Sequence, residues 1–341
     1  MRGCLAGAMA TIKDVARKAG VSTATVSHVL NGTRSVRLET RDVVLQAMAD
    51  LEYMPSAYAR ALRTRSSRQI GYVVADLINP FFASIFSGVE KVALKRGYTV
   101  VVSHSGEDPQ LELDVINGLV AHGVDGLIVA PVGSSQLCTA SREIVAPIVF
   151  IDRACSGSLV PAVTTVMTEA IAQAVNTIHS RGFDEVALIA GRAGLSTTDH
   201  RIEAYLTAVH ARGLSPRIYA GNSDVGSGRS AAKWAMSFDK PVGVVCGNNL
   251  MATGFVQTLL EAQKLQDFAQ GLVVIGDDQW TSFTTPALSI VSQPTVDLGV
   301  IGANMLIDQI ENSEQNVESV QLPCQFHPRE APTTDGDWRR Q

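Results

Sequence analysis

No stretch of this 341-residue sequence is long and apolar enough to cross a membrane. Its longest apolar runs are strand-sized and broken by Gly, Pro or Asp, short of the roughly 18 residues a bilayer span requires. The opening MRGCLAGAMA is also too short for the apolar region of a secretion signal, and Met9 is as good a start as Met1. Cysteine is scarce and odd in number. Cys4, Cys138, Cys155, Cys246 and Cys324 lie far apart with no CxxC or Cys/His ligand spacing, which predicts reduced structural thiols in a cytoplasm and no metal centre. The seven histidines show no ligand spacing either. There is no GxSxG elbow, Walker loop, HExxH or GxGxxG following a strand, and the GSG at 226–228 is too short a signal to stand in for one. These absences argue against an enzyme and against a bound cofactor.

What is present is an ordinary globular composition, 46% apolar and 18% charged, in a chain long enough for two or three compact units. The formal net charge of -5 conceals an asymmetry. Residues 1–69 hold 11 Lys and Arg against 5 Asp and Glu, net +6, whereas residues 70–341 hold 17 against 28, net -11. A basic end on an acidic body predicts a polyanionic partner for the first segment alone.

Residues 11 to 53 read as three short helices. Thr11-Ile12-Lys13-Asp14 fits a capping box, Gly20-Val21 turns the chain, and Ser22 caps the second helix. A third helix over about 38–51 should turn Val43, Val44, Ala47, Met48 and Leu51 inward. The connector PSAYARALRTRSSRQ, residues 55–69, carries Arg60, Arg63, Arg65 and Arg68 with no acidic residue, and Pro55 suits the first turn of a short helix over Ser56–Leu62.

From Gln69 the pattern becomes β-branched runs alternating with amphipathic segments near 82–96, 109–122, 134–145, 168–181, 200–212, 226–238, 250–265 and 296–312. Strict alternation predicts an α/β fold of parallel sheets flanked by helices. Ten candidate strands, from QIGYVVADL to LSIVSQ, are many for one sheet, so two similar lobes are expected, with ligand bound in a cleft beyond the carboxyl ends of the strands.

Two short helices about a Gly turn, the second edged by Ser22, Thr23, Ala24, Thr25, Ser27 and His28, match helix-turn-helix geometry. A short polar edge lets the backbone approach DNA: hydroxyls and helix-end amides hold phosphates, and Thr23, Ala24 and His28 can touch bases in the major groove. Such a motif in a twofold dimer reads palindromic double-stranded DNA.

The segments TIKDVARKAGVSTATVSHVLNG and ETRDVVLQAMADLEYMPSAYARALRT resemble the headpiece of the lactose-repressor/galactose-repressor (LacI-type) regulators. The likeness continues through QIGYVVADLINPFF, VDGLIVAP, FIDR, NNLMATG and PALSIVSQP to about Arg329. It implies a helix-turn-helix headpiece over 1–54, a hinge helix and linker over 55–69, a two-lobed periplasmic-binding-protein-like core over 70–330, and a tail over 331–341. Within the core it implies a first lobe of about 70–163 plus 293–318 and a second of about 164–290 plus 319–330. It further implies a cytoplasmic, nucleoid-associated repressor, homodimeric or of higher order, without a membrane partner.

The DNA-contacting set so implied is Thr11, Ser22, Thr23, Ala24, Thr25, Ser27, His28 and Asn31, with Ser56, Ala59 and Leu62 in the hinge, where Leu62 would wedge into the minor groove. The resemblance places a small-molecule effector, a sugar or sugar derivative, against Asn79, Phe81, Phe82, Asp152, Arg153, Arg201, Asn248, Asp277 and Trp280, with Arg192 a weaker candidate. The sequence departs from the family where an Asp-Asn pair usually enters the second lobe, here Val166-Met167, and where Asn249 replaces an aspartate. The IGDDQW loop is also one residue shorter than the common form, which lets Asp277 and Asp278 exchange roles. The rival reading is a sugar-binding protein with no DNA function, which leaves the basic headpiece unexplained.

Overall fold

The computed structural model describes residues 10–31, 34–53, 66–133, 135–312 and 317–329. The chain divides into two compact units, Met1–Ser67 and Arg68–Gln341.

In the first unit, α1 is Ile12–Ala19, α2 is Thr23–Asn31 and α3 is Leu38–Asp50. The capping box forms: the Thr11 N–H donates to Asp14 Oδ2 at 3.0 Å and Thr11 Oγ1 accepts from the Asp14 N–H at 3.4 Å. Gly20, at φ +66°, ends α1 in the left-handed conformation that lets the chain turn at once into α2. Ser22 Oγ accepts from the Thr25 N–H at 3.1 Å and so starts α2. Val15, Ala16, Val26, Val44 and Ala47 form the core of this unit. Val43 is not among them. It is 50% exposed, because Val44, Ala47, Met48 and Leu51 already fill the inward stripe at helical spacing and Val43 lies a further 100° around. The hinge residues Ser56, Ala59 and Leu62 lie outside the described residues.

The second unit holds two six-stranded sheets. The first contains β1 (Gln69–Val74), β2 (Thr99–His104), β3 (Gly126–Val129), β4 (Ile148–Asp152), β5 (Ala162–Val166) and β11 (Val320–Pro323), in the order β11-β5-β4-β3-β1-β2. The second contains β6 (Val186–Ala190), β7 (Arg217–Ala220), β8 (Gly243–Cys246), β9 (Leu272–Ile275), β10 (Ser289–Ser292) and β12 (Gln325–His327), in the order β12-β10-β9-β8-β6-β7. Among the described strands all pairings are parallel except β10 with β12. Helices α4 (Pro80–Lys95), α5 (Pro109–Ala121), α6 (Ser135–Ala140) and α13 (Thr295–Glu311) belong to the first lobe. Helices α7 (Thr168–Ser180), α8 (Ser196–Ala211), α9 (Val225–Ala235), α10 (Asn249–Glu261), α11 (Leu265–Ala269) and α12 (Trp280–Phe283) belong to the second. In the first lobe α4 crosses α13 at Gly88 and Gly299, where a methyl on either glycine would collide with the facing helix backbone.

Among the described residues the chain crosses between lobes three times, after β5, after β10 and between β11 and β12. This moves two expected boundaries. β5 runs through Val166 in the first sheet, and β11 pairs beside it with Val320 opposite Val163, so residues 320–323 belong with the first lobe and not the second. These two short final strands, like α11 and α12, carry too few residues to show a period. The helix expected over 134–145 stops at Ala140, where the Ser141 hydroxyl donates to the Cys138 carbonyl at 3.0 Å and closes the last turn. Cys138 and Cys155 are joined as a disulfide with Cα atoms 5.6 Å apart, in place of the reduced thiols expected from their distance in sequence. The fold brings together cysteines that sequence separation kept apart.

Candidate functional site

Between the lobes, beyond the carboxyl ends of the strands, lies a cavity of about 700 Å³. Asn79, Phe81, Phe82, Asp152, Arg153, Arg201, Asn248, Asp277 and Trp280 all line it. All but Arg201, which lies in the second turn of α8, sit where a strand ends or the following helix begins, so the αβ alternation itself aims them at one space.

Asn79 caps α4, its Oδ1 accepting from the Phe81 N–H at 3.0 Å. Phe82 is buried in the first-lobe core, and Phe81 packs edge-on against it with ring centroids 5.2 Å apart. Asp152, at the end of β4, holds a φ of +64°, a conformation non-glycine residues seldom adopt. Burial pushes its carboxyl above the ordinary range, against the pull of Arg153 and Arg201. Among the described residues its Oδ1 has no hydrogen-bond partner.

Arg153 is buried as well, and burial works against its charge, but the Glu107 carboxylate grips it with two bonds of 2.7 and 3.0 Å and holds the guanidinium above its usual range. Arg201 differs. Projecting from α8 into the cavity and only 7% exposed, it is pushed below its ordinary range by burial, and its Nε is unpartnered. Among the described residues Arg153 Nε and Gln293 Nε2, both on residues that line the cavity, are likewise buried without partners. Buried polar groups of native proteins are nearly always satisfied, so several orphans around one cavity mark a place for a polar ligand.

Asn248 caps α10, accepting from the Met251 N–H at 2.8 Å and donating to the Ser223 carbonyl at 3.0 Å. Much of its hydrogen-bonding capacity is therefore spent within the protein. Trp280 Nε1 points at Asp278 Oδ2 from 3.4 Å, while Asp277 is exposed. Arg192 does not line the cavity; it reaches across to the Glu107 carbonyl at 3.0 Å. Sequence reasoning missed Thr197, Ser223 and Gln293, which also line the cavity. Their positions at the start of α8 and just beyond β7 and β10 were the available signal.

The lobes also touch directly. Asn249 Nδ2 donates to Asn79 Oδ1 at 2.9 Å, and the Ala154 N–H donates to Ser196 Oγ at 3.1 Å.

In the first unit Thr23 and Ala24 are exposed at the start of α2, and Ser27 and His28 are half-buried one turn on. The Ser22 and Thr25 hydroxyls lie 2.9 Å apart, and Thr11 is engaged in its capping box. Asn31 ends α2, and its side chain lies outside the described residues. Among the described residues no helix is long and apolar enough to cross a membrane.

Comparison with known proteins fits this two-part layout. Residues 11–56 match the profile described as bacterial regulatory proteins, lacI family. Residues 67–330 match the one described as periplasmic binding proteins and sugar binding domain of LacI family. The HTH-type transcriptional repressor PurR of Vibrio cholerae serotype O1 (strain M66-2) is 33% identical over 316 residues, covering 90% of this chain and 93% of that protein. The fold resembles that of the Lac repressor dimer bound to operator and the anti-inducer ONPF, with a TM-score of 0.82 at 23% identity over 94% of this chain and 98% of that one. It also resembles a LacI family transcriptional regulator from Enterococcus faecium with bound ribose, with a TM-score of 0.68 at 23% identity over 76% of this chain and 97% of that one.

Proposed function

The chain belongs to the lacI family of bacterial regulatory proteins, and on that premise we propose that it is a sequence-specific transcriptional repressor controlled by a small polyhydroxylated effector held between its lobes. One observation carries the effector reading: Arg201 and Asp152 are buried, line one cavity, and leave a donor and an acceptor unused. Each unpaired buried group costs about 1–3 kcal/mol. A ligand hydroxyl pair that donates to Asp152 and accepts from Arg201 recovers that cost, while Phe81 and Trp280 offer apolar faces to a sugar ring.

The charge balance narrows the class. Arg153 is neutralised by Glu107, so an anionic ligand would meet Asp152, Asp277 and Asp278 with Arg201 alone in its favour. A neutral sugar fits better than a sugar phosphate or sugar acid.

On the DNA side, Thr23, Ala24 and His28 are assigned to base edges, and Ser22, Thr25, Ser27, Asn31 and Thr11 to the phosphates beside them. The hinge residues Ser56, Ala59 and Leu62 are assigned to the minor groove. Two copies about a twofold axis would read a palindromic operator at the nucleoid of the cytoplasm. An effector that favours one arrangement of the lobes then shifts operator affinity by no more than its differential affinity for the two arrangements.

Two experiments test this. Selection from random duplexes should recover a palindrome whose affinity falls steeply with salt, as phosphate counterions compete; salt-insensitive, non-selective binding overturns the DNA assignment. Thermal-shift screening against neutral sugars, sugar phosphates, sugar acids and nucleobases should give its largest shift in the first group. A response confined to any other group overturns the effector class.

A further inference from the structure

Cys138 and Cys155 clasp the two first-lobe segments that the second lobe contacts. Cys138 lies in the six-residue α6 that follows β3, and Cys155 lies in the irregular segment between β4 and β5. Both loops meet the same piece of the second lobe, the connection between β6 and α8. Gly133, just before α6, packs so closely on the Gly194 backbone that a methyl there would collide with it. Ala154, adjacent to Cys155, donates its N–H to Ser196 Oγ at 3.1 Å. The same segment begins with Asp152 and Arg153, two of the cavity's buried charged groups. Cys155 is 8% exposed, whereas Cys138 is half-buried and so the more accessible of the two residues.

We propose that this disulfide is a reversible thiol switch that couples redox state to the fit between the lobes, and so to the cleft; the last step rests on the cleft being the regulatory site. Disulfides in reducing compartments are usually transient and redox-sensing, which suits a bond placed beside the contact between the lobes. In reduction, a dithiol's thiolate attacks Cys138 Sγ. The Sγ–Sγ bond breaks, and Cys155 leaves as a thiolate that takes a proton from water. The second thiol of the reductant then displaces Cys138, which also takes a proton, so the reductant departs as a disulfide having given two electrons. A hydroperoxide reverses the change: one cysteine becomes a sulfenic acid with release of the alcohol or water, and the other condenses with it, expelling water. With the clasp open, the 153–161 segment loses its tether to α6 and grips Ser196 less well.

The test is hydrogen–deuterium exchange on the full-length protein, peroxide-oxidised against phosphine-reduced, with thiols counted in denaturant. Of the five cysteines, three should titrate after oxidation and all after reduction. Reduction should speed exchange about three- to tenfold at 153–161 and also at 191–197, because local opening rises when a tether is lost. The double variant Cys138→Ser/Cys155→Ser should match the reduced pattern under both conditions. Five thiols after peroxide treatment overturn the proposal. So does acceleration confined to the first-lobe loops, which would make the bond a staple within that lobe. Exchange is read without ligand or DNA, so a cleft that fails the sugar screen leaves this result standing on its own.

Discussion

Asn79 and Asn249 join the two lobes through a buried amide pair, Asn249 Nδ2 donating to Asn79 Oδ1 at 2.9 Å. The orientation is fixed by the first lobe, because the same Asn79 oxygen caps α4 by accepting from the Phe81 N–H. It cannot rotate to offer a donor without uncapping that helix. Asn249→Asp therefore sets an acceptor against an acceptor. Losing the bond and stranding a buried oxygen should cost about 1–3 kcal/mol, which outweighs the roughly 0.3–1 kcal/mol an acidic residue gains at the first turn of α10. The expected outcome is a lower melting temperature and a larger radius of gyration by small-angle scattering, with Asn249→Ala intermediate. An unchanged radius would show that this pair does not hold the lobes together.

Arg201 should separate stability from response. Its guanidinium is desolvated and its Nε unpartnered, so Arg201→Met removes a buried charge and adds apolar packing. Because the change also takes a counter-charge from the buried Asp152, the two effects offset and the ligand-free protein should stay within about 1–2 kcal/mol of the parent. Any sugar-induced thermal shift should vanish, in Arg201→Ala as well, while operator affinity without ligand persists. A retained shift would remove Arg201 from the effector site.

Glu112 predicts a pH dependence. It is fully buried on α5, with Oε1 accepting from the Val132 N–H at 2.8 Å and Oε2 unpartnered. Burial raises its carboxyl from 4.5 to about 7. Between those values the native state binds more protons than the unfolded chain, so this group's contribution is fully present below 4.5 and is lost as pH rises through about 7. The loss is at most about 3 kcal/mol. Glu112→Gln keeps an acceptor for Val132 and should flatten the fall in urea midpoint between pH 5 and 8. A variant with the parent's slope would place the titration elsewhere.

His28 should decide sequence and not bulk affinity. It lies one turn beyond the exposed Ala24 on α2. His28→Ala is expected to relax preference at one base pair per half-site, a change of about 1–3 kcal/mol against the wrong base, with the salt slope unaltered. A uniform loss across all sequences would put His28 on the phosphates.

The legible part of this protein was periodic or capped. Thr11, Asp14, Gly20 and Ser22 announce their helix ends because each has a short-range bond or backbone conformation to satisfy. The β-branched runs announce their strands because both faces of a parallel sheet are buried. Val43 was misplaced because two adjacent valines cannot both face inward, and only packing chooses between them. Strands β11 and β12 went unseen because four and three residues carry no readable period. In the cleft, residues just after strand ends could be placed by the alternation, but their bonding could not. Arg153 and Arg201 look alike in the sequence and both line the cavity, yet Glu107 engages the first with two bonds.

The amino-acid order alone determined the alternation of elements, the helix-turn-helix and the separation of a basic head from an acidic body, since all three follow from near neighbours and summed charge. Tertiary structure alone decided which buried groups find partners, that Cys138 meets Cys155, and that Asn249 reaches Asn79. Those outcomes depend on distances between residues far apart in the chain, which local propensity does not encode.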